Sequence, residues 1–176
     1  LLDGDHLVAS ATASAPLARE AQTPVTVAAA RAAEERYEGL SDHPFPTCFS
    51  CGTARDPDDA LCLRPGPLDD ESRRYATSWI PREASVPLVW AALDCPGGWS
   101  AGIAGRPMVL GTMTTEVSAL PEPGVAHTVL AWHRGSQGRK HFSGSALFAP
   151  DGRVLARAEA TWIAVDPTTI RPREIS

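Results

Sequence analysis

Between Ser85 and Asp94 almost every position is apolar, the run reading Ser-Val-Pro-Leu-Val-Trp-Ala-Ala-Leu-Asp. A helix that is apolar on nearly all of its faces has to be buried on nearly all of them. Ser85 sits where a cap belongs, and Pro87 falls in the first turn, where a missing N–H breaks no bond. Cys95-Pro96-Gly97-Gly98 then ends or bends the helix, because proline has no N–H to give to the preceding turn. Ahead of it residues 73–80 form a strand, and four more strands are expected at 108–119, 125–133, 141–148 and 154–165. The links between those four are Pro121-Glu122-Pro123-Gly124, a tip from Arg134 to Arg139, and Pro150-Asp151-Gly152. Each has turn composition and hairpin length, which predicts an antiparallel meander. One strand, a buried helix and a meander make an α+β layout in which a curved sheet wraps a central helix.

The first 72 residues are patterned differently. Asp3-Gly4 marks a turn, and Leu7-Val8-Ala9-Ser10-Ala11-Thr12-Ala13 follows as a strand of mostly small residues, the second arm of a hairpin. It echoes the last hairpin, where Asp151-Gly152 precedes Val154-Leu155-Ala156-Arg157-Ala158-Glu159-Ala160. If the echo is a repeat, the chain opens at the end of a first unit. The partner strands are then expected from residues upstream of Leu1 or from another subunit, since a lone arm is unstable. The chain opens without an initiator Met, which fits that expectation. Thr26 caps a short helix over residues 27–37, stopped by Gly39. From Ser41 to Asp70 the pattern dissolves among Pro44, Pro46, Pro57, Pro65 and Pro67, and loops of that length are functional or held by something. The chain thus divides into 1–40 (the end of a first unit with a connecting helix), 41–72 (an irregular Cys/Pro-rich loop), 73–166 (a complete domain) and a tail, 167–176.

Bulk composition narrows the function classes. The chain is 43% hydrophobic and 21% charged, enough to bury a core. Its net charge of -5 argues against nucleic acid or an anionic membrane as partner. No stretch has the apolar length to span a bilayer, and the opening lacks the basic and apolar regions of a signal peptide. Four cysteines are few for a disulfide framework. They read as thiols or metal ligands in a reducing compartment, so a cytoplasmic location is expected.

Three segments of the second half resemble the hotdog superfamily, and more narrowly the double-hotdog acyl-CoA thioesterases. They are Trp90-Ala91-Ala92-Leu93-Asp94, Leu110-Gly111-Thr112-Met113 and Asp151-Gly152-Arg153-Val154-Leu155-Ala156. The likeness covers roughly residues 73–166 and rests chiefly on the order of elements. It implies a hotdog fold, in which an Asp on the helix, a Thr on the following strand and a Gln on the last strand activate water. Asp94 and Thr112 match the first two; where the Gln would stand the strand reads Arg157-Ala158-Glu159-Ala160-Thr161. It also implies an acyl-CoA or acyl-carrier-protein thioester as substrate, and a homo-oligomer such as a dimer, with the site at the junction of two units. No cofactor is required for that chemistry.

Candidate chemistry follows. Asp94 closes an apolar run, where partial burial raises a carboxyl pKa toward a useful range; the plainer reading is a turn-opening Asp. Gly97 and Gly98 lack side chains and would let backbone amides approach an oxyanion. Trp90 and Trp99 bracket this point and would line an acyl pocket, although most tryptophans are simply core. Cys95 is a candidate nucleophile with no His nearby in sequence, or a small buried thiol. Arg134, Arg139 and Lys140 would read the phosphates of CoA, or form a solvated turn flanked by His133 and His141. His43, Cys48, Cys51 and Cys62 have the shape of a structural zinc set, Cys-x-x-Cys-Gly at its centre, though unliganded thiols would also pack such a loop. Two other functions stay open: a non-catalytic acyl-CoA or small-ligand binder, and a zinc-stabilised structural or interaction protein.

Overall fold

The computed structural model describes residues 2–70 and 72–169. The N-terminal turn at Gly4 (φ 60) joins two very short strands, β1 (Leu2–Asp3) and β2 (His6–Leu7). The expected strand over 7–13 does not continue: residues 8–14 are exposed and form no regular element. Among the described residues β2 pairs only with β1, over Leu2–Leu7 and Asp3–His6. Helix α1 (Val27–Glu34) starts as predicted, with Thr26 Oγ1 accepting the Ala29 N–H at 3.1 Å. It loosens before Tyr37, and a single 3-10 turn, Glu38–Leu40, follows.

Six strands form one antiparallel sheet: β3 (Gly66–Pro67), β4 (Arg74–Trp79), β5 (Met108–Val117), β6 (His127–Gln137), β7 (Lys140–Phe148) and β8 (Val154–Ala164). Their order is β3-β4-β6-β7-β8-β5. Between β4 and β5 lies α2 (Val86–Ser100), cradled by the sheet. The α+β architecture is the expected one. Its strand order is not a simple meander. β6 and β7, and β7 and β8, are hairpins, but β5 pairs with β8 at the edge while β6 pairs with β4. The Pro121–Gly124 link is therefore a crossover. Turn composition reports where a chain bends, not which strand it next meets.

The hairpin tip is shorter than its composition suggests. β6 runs through Arg134 to Gln137, and the reversal occupies only Gly138 and Arg139, with Gly138 at φ 58. α2 also outruns its expected end, continuing past Pro96 to Ser100. Pro96 cannot donate to the carbonyl four residues back, and the neighbouring carbonyls receive side chains instead. Ser50 Oγ donates to Ala91 O at 2.6 Å and Ser145 Oγ to Leu93 O at 2.7 Å. The glycines that follow let the helix lie close on the sheet. A Cβ on Gly97 would fall 2.6 Å from Ser143 Oγ, and one on Gly98 would fall 3.1 Å from the Trp162 ring.

The inner core joins Val89, Ala92 and Leu93 of α2 to Trp79, Val129, Leu147, Ala156 and Ala158 of the sheet. On the opposite face α1 packs Ala30 and Ala33 against Ala76, Leu130, Ala146 and Phe148. Glu34 fastens it by accepting from Thr77 Oγ1 at 3.0 Å and Ser78 Oγ at 2.7 Å. The irregular segment is held, as its length requires: Leu61 N–H donates to Phe49 O and Leu63 N–H to Ser50 O. Among the described residues no helix is long and apolar enough to cross a membrane.

Candidate functional site

Val86, Trp90 and Asp94 recur every fourth residue, so they form one stripe along α2 on the side turned from the sheet. Val86 and Trp90 are exposed. Asp94 is half-buried, and its Oδ1 is enclosed without a hydrogen-bond partner among the described residues. Burial, with the charge of nearby Cys48 adding to it, pushes the carboxyl up to about 7. A carboxyl with a free lone pair and little hydration can take a proton from water, provided that substrate and water reach it.

Beside Asp94 the long loop packs its sulfurs against α2. Cys48 and Cys51 from the loop and Cys95 from the helix have their Sγ atoms within 4.8 Å of one another, close enough to hold a metal ion. Cys48 Sγ lies 3.4 Å from Cys95 Sγ. Interaction among the three sulfurs pulls the Cys48 thiol well down and pushes those of Cys51 and Cys95 up. Around them Tyr37 O–H donates to Cys51 O at 2.8 Å, and Trp99 Nε1–H points at Cys51 Sγ at 3.4 Å. Tyr37 and His43 both meet the Trp99 ring edge-on. Cys62 does not belong to this group, and Cys95 stands where it was expected. All four cysteines are free of disulfides.

The other candidates scatter. Trp90 and Trp99 lie nine residues apart, half a turn out of phase on a helix, so they point to opposite sides. Trp90 is 37% exposed, whereas Trp99 is 1% exposed in the aromatic cluster around Cys51. Gly97 and Gly98 lie within α2 and face the sheet. Thr112 sits on the sheet's other face from α2. A bulge between Leu110 and Thr112 shifts the register, so that Leu110 is opposite Trp162 but Thr112 is opposite Thr161. There Thr112 lines a cavity of about 370 Å³ with Arg19, Thr114, Arg134, Glu159 and Thr161. Glu159, near the expected Gln, is bound to Arg134 at 2.7 Å. That pair leaves Arg139 and Lys140 at the exposed tip without Arg134 beside them in the turn. His133 and His141 face each other with ring centroids 6.3 Å apart. Ser50, Ser145 and Tyr37, which brace the helix and the sulfur loop, carried no signal in the sequence beyond being polar.

No family model matches the chain, and neither does any curated protein. Solved structures do. A thioesterase superfamily protein superposes with a TM-score of 0.53 at 15% identity, covering 61% of this chain and 60% of its own. The chain has the hotdog fold. AziG of S. sahachiroi superposes at a TM-score of 0.50 and 15% identity, covering 60% of this chain and 92% of its own. At such identity the likeness is one of fold, the hotdog fold seen among thioesterase superfamily proteins, and the present chain spans only 60% of the first neighbour's length.

Proposed function

We propose that this hotdog protein hydrolyses acyl-CoA or acyl-carrier-protein thioesters, with Asp94 as the base that activates water. The observation that carries this is the carboxylate itself: Asp94 lies on the helix the sheet wraps, with Oδ1 enclosed and unpartnered. A buried polar atom without a partner is costly to keep, and such atoms are retained where a ligand or reactant supplies the missing bond. The remaining groups come from a second copy. Edge strand β5 has no strand on its outer side among the described residues and exposes Val109 (41%) and Leu110 (40%), while Val86 and Trp90 are exposed on α2. A homodimer closing over these positions would shelter Asp94 and complete an acyl pocket beside Trp90. Arg139 and Lys140 are exposed at the tip, where they would attract CoA phosphates. The chemistry needs no organic cofactor, and the reaction belongs to a soluble thioester rather than to a membrane or a nucleic acid.

The test is a hydrolysis screen against short, long and aromatic acyl-CoAs, following the released thiol. Asp94→Asn, nearly the same in shape, should lower kcat by about 10²–10⁴-fold while leaving the circular dichroism spectrum unchanged. Wild-type rates retained in that variant would remove Asp94 from the mechanism. A second reading, a non-catalytic acyl-CoA binder, is favoured by one feature: Thr112 and the Arg134–Glu159 pair lie across the sheet from Asp94. Tight binding of acyl-CoA without turnover on any substrate would select it.

A further inference from the structure

Sulfur from two distant parts of the chain meets at one point beside α2. Cys48 and Cys51 belong to a tight turn in which Gly52 N–H donates to Cys48 O at 2.9 Å. A Cβ on Gly52 would fall 2.5 Å from both Cys48 O and Pro46 O, so only glycine lets the turn close. Cys95 approaches from the helix, 3.4 Å from Cys48 Sγ. A tetrahedral zinc–thiolate site has Zn–S bonds of about 2.3 Å and therefore sulfur–sulfur edges of about 3.8 Å. The three sulfurs, all within 4.8 Å of one another, need to move little to reach that figure.

Hydrogen-bond donors converge on the sulfur cluster from the loop and from α2. Trp99 Nε1–H is directed at Cys51 Sγ at 3.4 Å. His43 Nδ1 accepts the Phe45 N–H at 3.0 Å, which leaves the proton on Nε2. That N–H reaches Cys51 O at 3.0 Å and Cys51 Sγ at 3.5 Å. Donors aimed at sulfur stabilise negative charge, and three sulfurs gathered at this separation would need a cation between them to ionise together. His43 is thereby an orienting donor and not a ligand.

We propose that Cys48, Cys51 and Cys95 bind one zinc ion as thiolates, with water in the fourth position. Three Zn–S bonds form, each thiol that is still protonated releases its proton to solvent, and no electrons are transferred. The ion clamps the Pro-rich segment to α2 one residue from Asp94. That segment gains an anchor its sparse apolar content does not provide, and the wall beside the carboxylate is fixed in place. The clamp stands independently of thioester hydrolysis.

Elemental analysis of the full chain, purified under reducing conditions, tests this directly. Wild type and Cys62→Ser are expected to carry about one zinc per chain, and Cys95→Ser and Cys51→Ser markedly less. Because those last two variants can fail to fold, the decisive arm uses wild type alone. Zinc is removed from the reduced protein and Co²⁺ is added. A near-ultraviolet thiolate-to-cobalt band should saturate at about one equivalent and collapse on adding zinc. With zinc bound, a thiol reagent should react quickly only with Cys62 among the four cysteines. Absence of zinc together with absence of the cobalt band in fully reduced wild type overturns the proposal. So does a Cys48–Cys95 disulfide in protein prepared without oxidant, or undiminished zinc in a folded Cys95→Ser.

Discussion

The close seat of α2 on the sheet makes a quantitative prediction about Gly97→Ala. A methyl group at Gly97 falls 2.6 Å from Ser143 Oγ and 3.4 Å from Trp162 Nε1. Ser143 Oγ is the acceptor for the Trp162 indole N–H at 3.1 Å, in a buried environment. The substitution must push away either the hydroxyl or the helix. Overpacking costs about 1–3 kcal/mol. Depriving a buried N–H of its acceptor adds about 1–3 kcal/mol. The better helix propensity of alanine offsets about 1 kcal/mol. The net loss centres near ~3 kcal/mol, a fall in Tm of about 6–12 °C for a chain of this length. Ser143→Ala alone should cost about 1–3 kcal/mol through the orphaned indole N–H. In that background the clash is gone, because the added methyl then meets Trp162 Nε1 at 3.4 Å and Ser143 Cβ at 3.6 Å, both ordinary contacts. Gly97→Ala should then be neutral or stabilising by up to about 1 kcal/mol. Urea unfolding of the four proteins gives the coupling, expected at about 2–4 kcal/mol in favour of the pair. Additivity within about 0.5 kcal/mol would refute the claim that Gly97 is there for close approach.

Three further outcomes can be measured. Thr26→Ala removes the N-cap of α1 and should cost about 1 kcal/mol in chemical denaturation, with the sheet intact. Tyr37→Phe removes one donor to Cys51 O, but His43 still bonds that carbonyl, so the loss should stay near ~1 kcal/mol; a larger loss would mean that Tyr37 does more than this bond. Leu110→Lys places a charge on the open edge of β5 and should shift a concentration-dependent dimer toward monomer in sedimentation, with the melting curve of the monomer unchanged; an unaltered dimer would exclude this edge from the interface.

Much of the fold could be read along the chain because it is written in local terms. The apolar run before Asp94 dictated a helix, and α2 is one, although its Val86 and Trp90 face is exposed in the single chain where burial on nearly every face was expected; the Thr26 cap and the turns at Gly138 and Gly152 follow from which residues tolerate those backbone angles. The placement of Asp94 on the central helix was equally local, although α2 runs on past it to Ser100. Other features depended on parts of the chain that meet only on folding. Cys95 lies 47 residues from Cys48, and no spacing rule reveals that the loop brings them together in place of Cys62. Pro96 looked like a stop, yet α2 continues through it to Ser100, held on the flanking turn by Ser50 at Ala91 O and Ser145 at Leu93 O from elsewhere in the chain. The face on which Thr112 points was decided by a single bulged residue. Strand alternation carries only parity, and one extra residue at Gly111 inverts it for the rest of β5 relative to Leu110. Sequence thus determined where α1, α2, β4 and β5 to β8 lie, though not the fate of the strand expected over 7–13. Strand order, the meeting of the sulfurs and the direction of Thr112 were left to tertiary structure, because each is a relation between segments that local propensity does not encode.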